Sequence, residues 1–164
     1  MKTEDESSIA KLVTDYMCWW DDRIPNKDYP ARLDDSATWE LWLFVRGEEK
    51  LLAQYSGKAA ILAAKTPGTA IVHSTSNLVI HSNADDHADV RGYFRTYFQK
   101  DGSLFTHGEG RYELRKINGE WRLMAIRNHY YWLRDKRHER MKALKIAGML
   151  VAAMIMGALA GALV

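Results

Sequence analysis

The chain has 164 residues, 47% of them hydrophobic, a net charge of +2 and a single cysteine. That length suits one domain with a substantial core, and one cysteine excludes an intramolecular disulfide. Charge is unevenly spread: residues 134–145, RDKRHERMKALK, hold six Lys/Arg against two acids, residues 146–164 hold no charge, and the body before them is slightly acidic. An acidic body argues against the basic face of a nucleic-acid-binding domain, so no nucleic-acid partner is expected.

The opening MKTEDESS is polar and acidic and carries no secretory pattern. Thr3 and Glu6 have capping-box spacing, and Ile9, Leu12, Val13, Tyr16 and Trp20 recur at helical spacing, which predicts a first helix over 4–21. Cys18 falls inside it and reads as packing. IPNKDYPARLD breaks that helix and restarts as a short second one. In ATWELWLFVRG, Trp39, Leu41, Leu43 and Val45 alternate with Thr38, Glu40, Trp42 and Phe44. Both sets are largely apolar, so this strand is expected to be covered on both sides. GEEK turns it back into the strand LLAQYS, and Gly57 opens a third short helix, KAAILAAK, that ends before Pro67.

Four long strands follow, over 69–82, 87–99, 103–117 and 120–132, with turns at NADD, at Asp101–Gly102 and at Asn118–Gly119. The last two are hairpin signals in which both residues must tolerate positive φ. Long antiparallel strands must bury one face, and the N-terminal helices are the available cover. The fold class is therefore α+β: a curved antiparallel sheet wrapped around N-terminal helices, a cone with an internal pocket, plus a C-terminal hydrophobic helix.

Within the first of these four strands, TAIVHSTSNLVIHS places His73 and Asn77 in an apolar run. In an extended chain His73, Thr75 and Asn77 share a face with Ile71 and Val79. Polar groups on such a face are paired or line a cavity. DDHAD at 85–89 sits at a turn without rigid ligand spacing and reads as solvated. No metal site and no Gly-rich phosphate loop is predicted.

Several pieces together resemble the SnoaL-like family of the nuclear transport factor 2-like superfamily. They are the opening helix with Tyr16 and then Asp21, GKAAI, VHSTSNLVI, and the ending GRYELRKINGEWRLMAIR. The resemblance covers most of 1–133 and implies an α+β cone of the kind found in polyketide cyclases, scytalone dehydratase, steroid isomerases and dioxygenase β subunits. In scytalone dehydratase-like members an aspartate from the first helix and two histidines from the sheet line the cone. By that resemblance Asp21 is the acid, His73 the first histidine and His107 the second, and Asn128 falls at a polar position of the pocket. Trp20 and Trp42 stand where the dehydratase has water-holding tyrosines, and with Asn77, Asn128 and Tyr55 they are the expected substrate contacts.

A carboxylate beside an imidazole fixes its tautomer. A His–Asp pair in an apolar cavity can take a proton from a carbon next to a carbonyl, while a second histidine donates to a leaving hydroxyl. The implied function is a lyase or isomerase on a small lipophilic, polyketide- or steroid-like substrate, and it requires no cofactor. The alternative is a non-catalytic ligand-binding or oligomer-forming module, such as a ring-hydroxylating dioxygenase β subunit. The relatives also imply a homo-oligomer.

The organisation read from the sequence is a cone domain over 1–133, a basic segment over 134–145 and a hydrophobic helix over 146–164. IAGMLVAAMIMGALAGALV has 19 uncharged residues, a helix of about 28 Å at the standard rise, close to the thickness of a bilayer core. The basic run before it predicts a C-terminal membrane anchor with the cone in the cytoplasm. Gly157 and Gly161 have small-xxx-small spacing. The other reading is a helix that closes the cone mouth or swaps into a partner.

Overall fold

The structure, a computed structural model, describes residues 3–21, 29–45, 47–65 and 71–131. The chain divides into a unit covering residues 1–132 and a second covering the remainder. The expectations for the basic segment and the hydrophobic tail lie outside the described residues. Among the described residues no helix is long and apolar enough to cross a membrane.

The element order is α1 (Thr3–Trp20), a 3-10 turn (Tyr29–Arg32), β1 (Leu33–Val45), β2 (Glu48–Ser56), α2 (Lys58–Ala64), β3 (Ile71–Ala84), β4 (His87–Phe98), β5 (Leu104–Ile117) and β6 (Glu120–Tyr131). Of the second helix expected after α1 the described residues hold the 3-10 turn, and residues 22–28 lie outside the described set. Pro30 fixes φ inside that turn, and β1 begins at Leu33 directly after it. β2 already begins at Glu48, so GEEK is mostly strand, and the reversal turns on Gly47 at φ 89°.

Six strands form one sheet in the order β2-β1-β6-β5-β4-β3. Every neighbouring pair is antiparallel except β1 with β6, which run parallel. The four long strands pair antiparallel as expected, and the parallel β1–β6 pair is an addition to that expectation. The meander β3-β4-β5-β6 brings its last strand back beside β1, and the intervening chain provides the long crossover that a parallel pair needs. Asn118 and Gly119 both take positive φ, 52° and 83°, between paired Ile117 and Glu120, as the NG signal predicts. At Asp101–Gly102 only Gly102 does so; that loop is longer, and Asp101 stabilises it by accepting hydrogen bonds from the Ser103 backbone N–H and hydroxyl.

Register shifts interrupt the pairing in β1, in β3 and between β5 and β6. Each such irregularity bends and twists a strand, and the sheet curves around α1. Ile9, Leu12, Val13, Tyr16 and Met17 form the buried stripe of that helix and share one core with Trp39 and Leu41 of β1, Phe94 of β4 and Tyr112 of β5. The other face of β1 is not covered among the described residues. Trp42 is half-buried there and Phe44 is 40% exposed.

Glycines on the inner face make room for neighbouring side chains. A Cβ at Gly108 would stand 2.0 Å from the His129 carbonyl oxygen and 2.8 Å from the Phe94 ring. At Gly92 the nearest atom, at 2.5 Å, is the flexible end of Leu78. Overpacking costs about 1–3 kcal/mol where the neighbours cannot yield. Gly108→Ala should therefore lower the chemical-denaturation midpoint markedly, and Gly92→Ala should lower it less.

Candidate active site

Asp21 follows α1 directly. Its backbone N–H donates to the Met17 carbonyl at 3.1 Å, which continues the helical turn, and its side chain is fully buried. The C-terminal end of a helix is the negative end of its dipole, and no basic residue stands in the last turn of α1. Compensation comes from β3. The His73 backbone N–H donates to Asp21 Oδ2 at 2.8 Å, and His73 Nδ1 lies 2.5 Å from Asp21 Oδ1. A charge removed from water persists when it is paired and hydrogen-bonded, so the two groups fix each other's positions. With the carboxylate accepting at Nδ1, that nitrogen carries the proton and Nε2 is the basic one. The imidazole side chain is 12% exposed, and Phe94 meets it edge-on with ring centroids 6.3 Å apart.

Beyond this pair the inner face is lined by rings. Trp20 packs on Trp39 at 4.6 Å between centroids, and Trp39 stacks on Tyr55 at 5.0 Å. Phe94 meets Tyr130 at 5.3 Å. The buried Tyr16 hydroxyl has the Trp20 and Asn128 side chains as hydrogen-bonding neighbours, whereas the hydroxyls of Tyr112 and Thr96 and the indole nitrogen of Trp39 are buried without a hydrogen-bond partner among the described residues. Burial pushes the Tyr16 and Tyr112 hydroxyls far up from their ordinary range. At Tyr16 the neighbouring Trp20 and Asn128 side chains oppose that shift. Burial also pushes Tyr130 up to about 12, again against Asn128.

The structure thus joins Asp21 to His73 and places Trp20, Tyr55 and Asn128 on the inner face. Three expected site residues are elsewhere. His107 alternates with the inner, buried Thr106 and Gly108, so it faces outward, where its ring lies beside Tyr131 at 6.1 Å. Trp42 is also outside: it stacks on His129 at 6.1 Å between centroids, and its indole N–H donates to Glu40. Asn77 is exposed at φ 53°, within the register shift between Ser76 and Val79. That shift also leaves Val79 49% exposed and turns Leu78 and Ile80 toward the core instead.

Thr96, Tyr16 and Tyr112 are inner-face polar groups that the sequence reading did not assign to the site. Thr96 pairs with His73 in register and is 1% exposed. The signal was available in β4, where alternation with Arg91, Tyr93 and Arg95 puts Thr96 on the inner side. Among the described residues no group of three or more His, Cys, Asp or Glu is placed to hold a metal ion.

Residues 1–127 match the family model of the SnoaL-like domain. No curated protein sequence matches the chain. Among solved structures it is similar to the hexachlorocyclohexane dehydrochlorinase LinA-type3 from Novosphingobium barchaimii LL02, with a TM-score of 0.64 and 15% identity over 82% of this chain and 92% of that one. It is also similar to a protein assigned as a scytalone dehydratase from Novosphingobium aromaticivorans DSM 12444 (TM-score 0.58, 18% identity, 79% and 89% covered). A third is the β subunit of a protein assigned as an aromatic-ring-hydroxylating dioxygenase from the same organism (TM-score 0.62, 18% identity, 78% and 90% covered). At these identities the likeness is one of fold.

Two measurements address the site without a substrate. In Asp21→Asn the amide can turn an N–H toward Nδ1, which moves the ring proton to Nε2; nitrogen NMR should read Nδ1–H in the native chain and Nε2–H in the variant. The second concerns alkaline stability. An unfolded tyrosine ionises near about 10, whereas folded Tyr130 does so at about 12. The folded chain holds that proton more tightly, so this contribution is complete below about pH 10 and is lost as pH rises through about 12. Denaturation midpoints should fall across that window, and Tyr130→Phe should reduce the fall.

Proposed function

The chain belongs to the SnoaL-like domain family, and within it we propose that this protein is a lyase or isomerase that needs no cofactor and moves a proton with His73 and Asp21 on a small lipophilic substrate. One observation carries the reading: a buried carboxylate bound to both the ring Nδ1 and the backbone N–H of one histidine. In the proposed step Nε2 of His73 takes a proton from a carbon next to an electron-withdrawing group. The C–H electron pair forms the new double bond or enolate, and in an elimination the leaving group departs with its own bonding pair. Asp21 stabilises the imidazolium that results. In an isomerisation the same nitrogen returns the proton to a different carbon. His107 faces outward, and the hydroxyl of Thr96, beside His73 in register, is the group that hydrogen-bonds the departing leaving group instead.

The relatives illustrate the breadth of such chemistry, since one is a dehydrochlorinase and another is assigned as a dehydratase. A non-catalytic module is the second reading, favoured by the Trp20–Trp39–Tyr55 stack, which fills part of the interior with rings. For the tail we retain the tether to a membrane. Its sequence is uncharged over residues 146–164 and follows six Lys/Arg, and fractionation of the full chain against one lacking those residues tests it.

Deuterium wash-in tests the chemistry. Hydroxylated aryl ketones and chlorinated cyclohexanes incubated in heavy water should exchange or eliminate in the presence of the native chain. His73→Gln and Asp21→Asn should each lower the rate by about 10²–10⁴-fold, whereas His107→Ala should stay within about twofold because its ring is on the other face. Exchange that survives in His73→Gln would overturn His73 as the base, and no exchange with any compound would favour the non-catalytic module.

A further inference from the structure

The ring of His73 is held by more than its carboxylate. Along the inner face of β4 the side chains run Ala88, Val90, Gly92, Phe94 and Thr96, all buried. Phe94 is the one ring in that row. Thr96 is the register partner of His73 and carries only a short side chain. Phe94, paired with Thr75, is the diagonal neighbour of His73, and a diagonal position is within reach of an aromatic side chain. The two rings meet at 6.3 Å between centroids and 62° between planes.

Phe94 is fixed in turn from the opposite direction. Its register partner on β5 is Gly108, and a Cβ at that position would stand 2.8 Å from Phe94 Cζ. The ring therefore leans across β5 where the strand has no side chain. Beyond it Tyr130, the register partner of Gly108 on β6, meets the ring at 5.3 Å and 77°. Phe94 is 2% exposed. Close packing of this kind leaves one position for the ring, so β5 and β6 set where it stands against His73.

The hydrogen bond to Asp21 acts at one corner of the imidazole, Nδ1. A bond at that corner fixes the tautomer, whereas the angle of the ring about it is set by what packs on the ring's flank. Placing a reacting group to within about 0.5 Å takes packing as well as hydrogen bonding, and a displacement of about 1 Å costs about 10²-fold in rate. Resting on the proton-transfer reading above, we propose that Phe94, leaning over Gly108, is a positioning residue that holds the His73 imidazole in the orientation in which Nε2 acts as the base. It acts through the ring of His73 and takes no part in the proton transfer itself.

Proton and nitrogen NMR of the full chain reads the ring without a substrate. The native chain should show a His73 Nδ1–H resonance, identified by its loss in His73→Gln, that exchanges slowly with water. Phe94→Leu should speed that exchange about tenfold, as expected from the loss of one aromatic pair. Phe94→Met should act in the same direction and serves if Phe94→Leu fails to fold. Val90→Ala is the control. Val90 is buried on the same strand and pairs with Ile80, away from the His73 end of β3. That variant should lower the denaturation midpoint yet leave the exchange rate within about twofold. In the deuterium wash-in, Phe94→Leu should lower the maximal rate about 10²-fold with KM within about twofold, whereas a side chain that only lined the space would move KM. No slowly exchanging Nδ1–H in the native chain, an unchanged exchange rate in Phe94→Leu, or equal acceleration in Val90→Ala would overturn the positioning role. The two readings fail separately. Faster exchange in Phe94→Leu without wash-in for any compound supports the positioning of the ring and counts against proton transfer. Wash-in lost in His73→Gln but kept in Phe94→Leu supports proton transfer and overturns the positioning.

Discussion

A carboxylate buried at the negative end of a helix is the constraint on which the arrangement of this domain depends. Asp21 would be costly there alone, because both desolvation and the helix dipole oppose its charge. His73 answers both, with its backbone N–H and its ring on the two carboxylate oxygens. The link joins residues 52 apart in sequence and ties the end of α1 to β3, which is an edge strand of the sheet. The other end of α1 is fixed in a matching way. Asp5 accepts from Lys116 at 2.6 Å and from the Trp121 indole at 3.0 Å, which anchors the first turn to the β5–β6 hairpin. A helix held at both ends cannot slide along the sheet, and the ring-lined face between its two anchors keeps a fixed set of neighbours.

Inner-face glycines then decide what that space contains. Gly92, Gly108 and Gly110 are filled respectively by Leu78, Phe94 and Tyr112, each bending over a strand that carries no side chain at that point. Larger residues would push these groups inward or break the pairing of β5 with its neighbours. The same strands carry alternating charges on their outer side, with Glu109 bound to Arg111 and Glu113 to Arg127. These ion pairs are partly exposed and contribute little stability individually. Their effect is to mark that side as distinct from the core, so a one-residue slip would bury charges, which strongly specifies the register.

How legible all this was in the sequence varied from residue to residue. The α1 stripe, the NG hairpin and the four long strands followed from periodicity and turn chemistry, because both act locally. The Asp21–His73 contact came instead from family resemblance, since no local pattern joins residues so far apart. His107 was legible and misread: counting by twos from Tyr112 through Gly110 and Gly108 puts Thr106 inside, and Glu109, Arg111 and Glu113 share the other side with His107. Trp42 is a similar case, because Glu40 two residues earlier marks its face. Asn77 was harder. The register shift between Ser76 and Val79 changes which residues point inward, and the one local hint is that asparagine tolerates left-handed φ better than most residues. The parallel pairing of β1 with β6 depends on the whole chain between them and leaves no signature in either strand.

The fold is shared by proteins of quite different duty, an eliminating enzyme and an oxygenase subunit among them, so function in this chain has to reside in side chains. A domain that served only to pack against others would be more stable with apolar groups at Tyr112 and Thr96, whose buried hydroxyls have no partner among the described residues, since a buried polar group without a partner costs about 1–3 kcal/mol. The Trp20–Trp39–Tyr55 stack shows that this chain does fill one side of its interior with rings. That it also places hydroxyls deep in the remainder, beside a histidine oriented by a carboxylate, is an expense that packing alone does not explain.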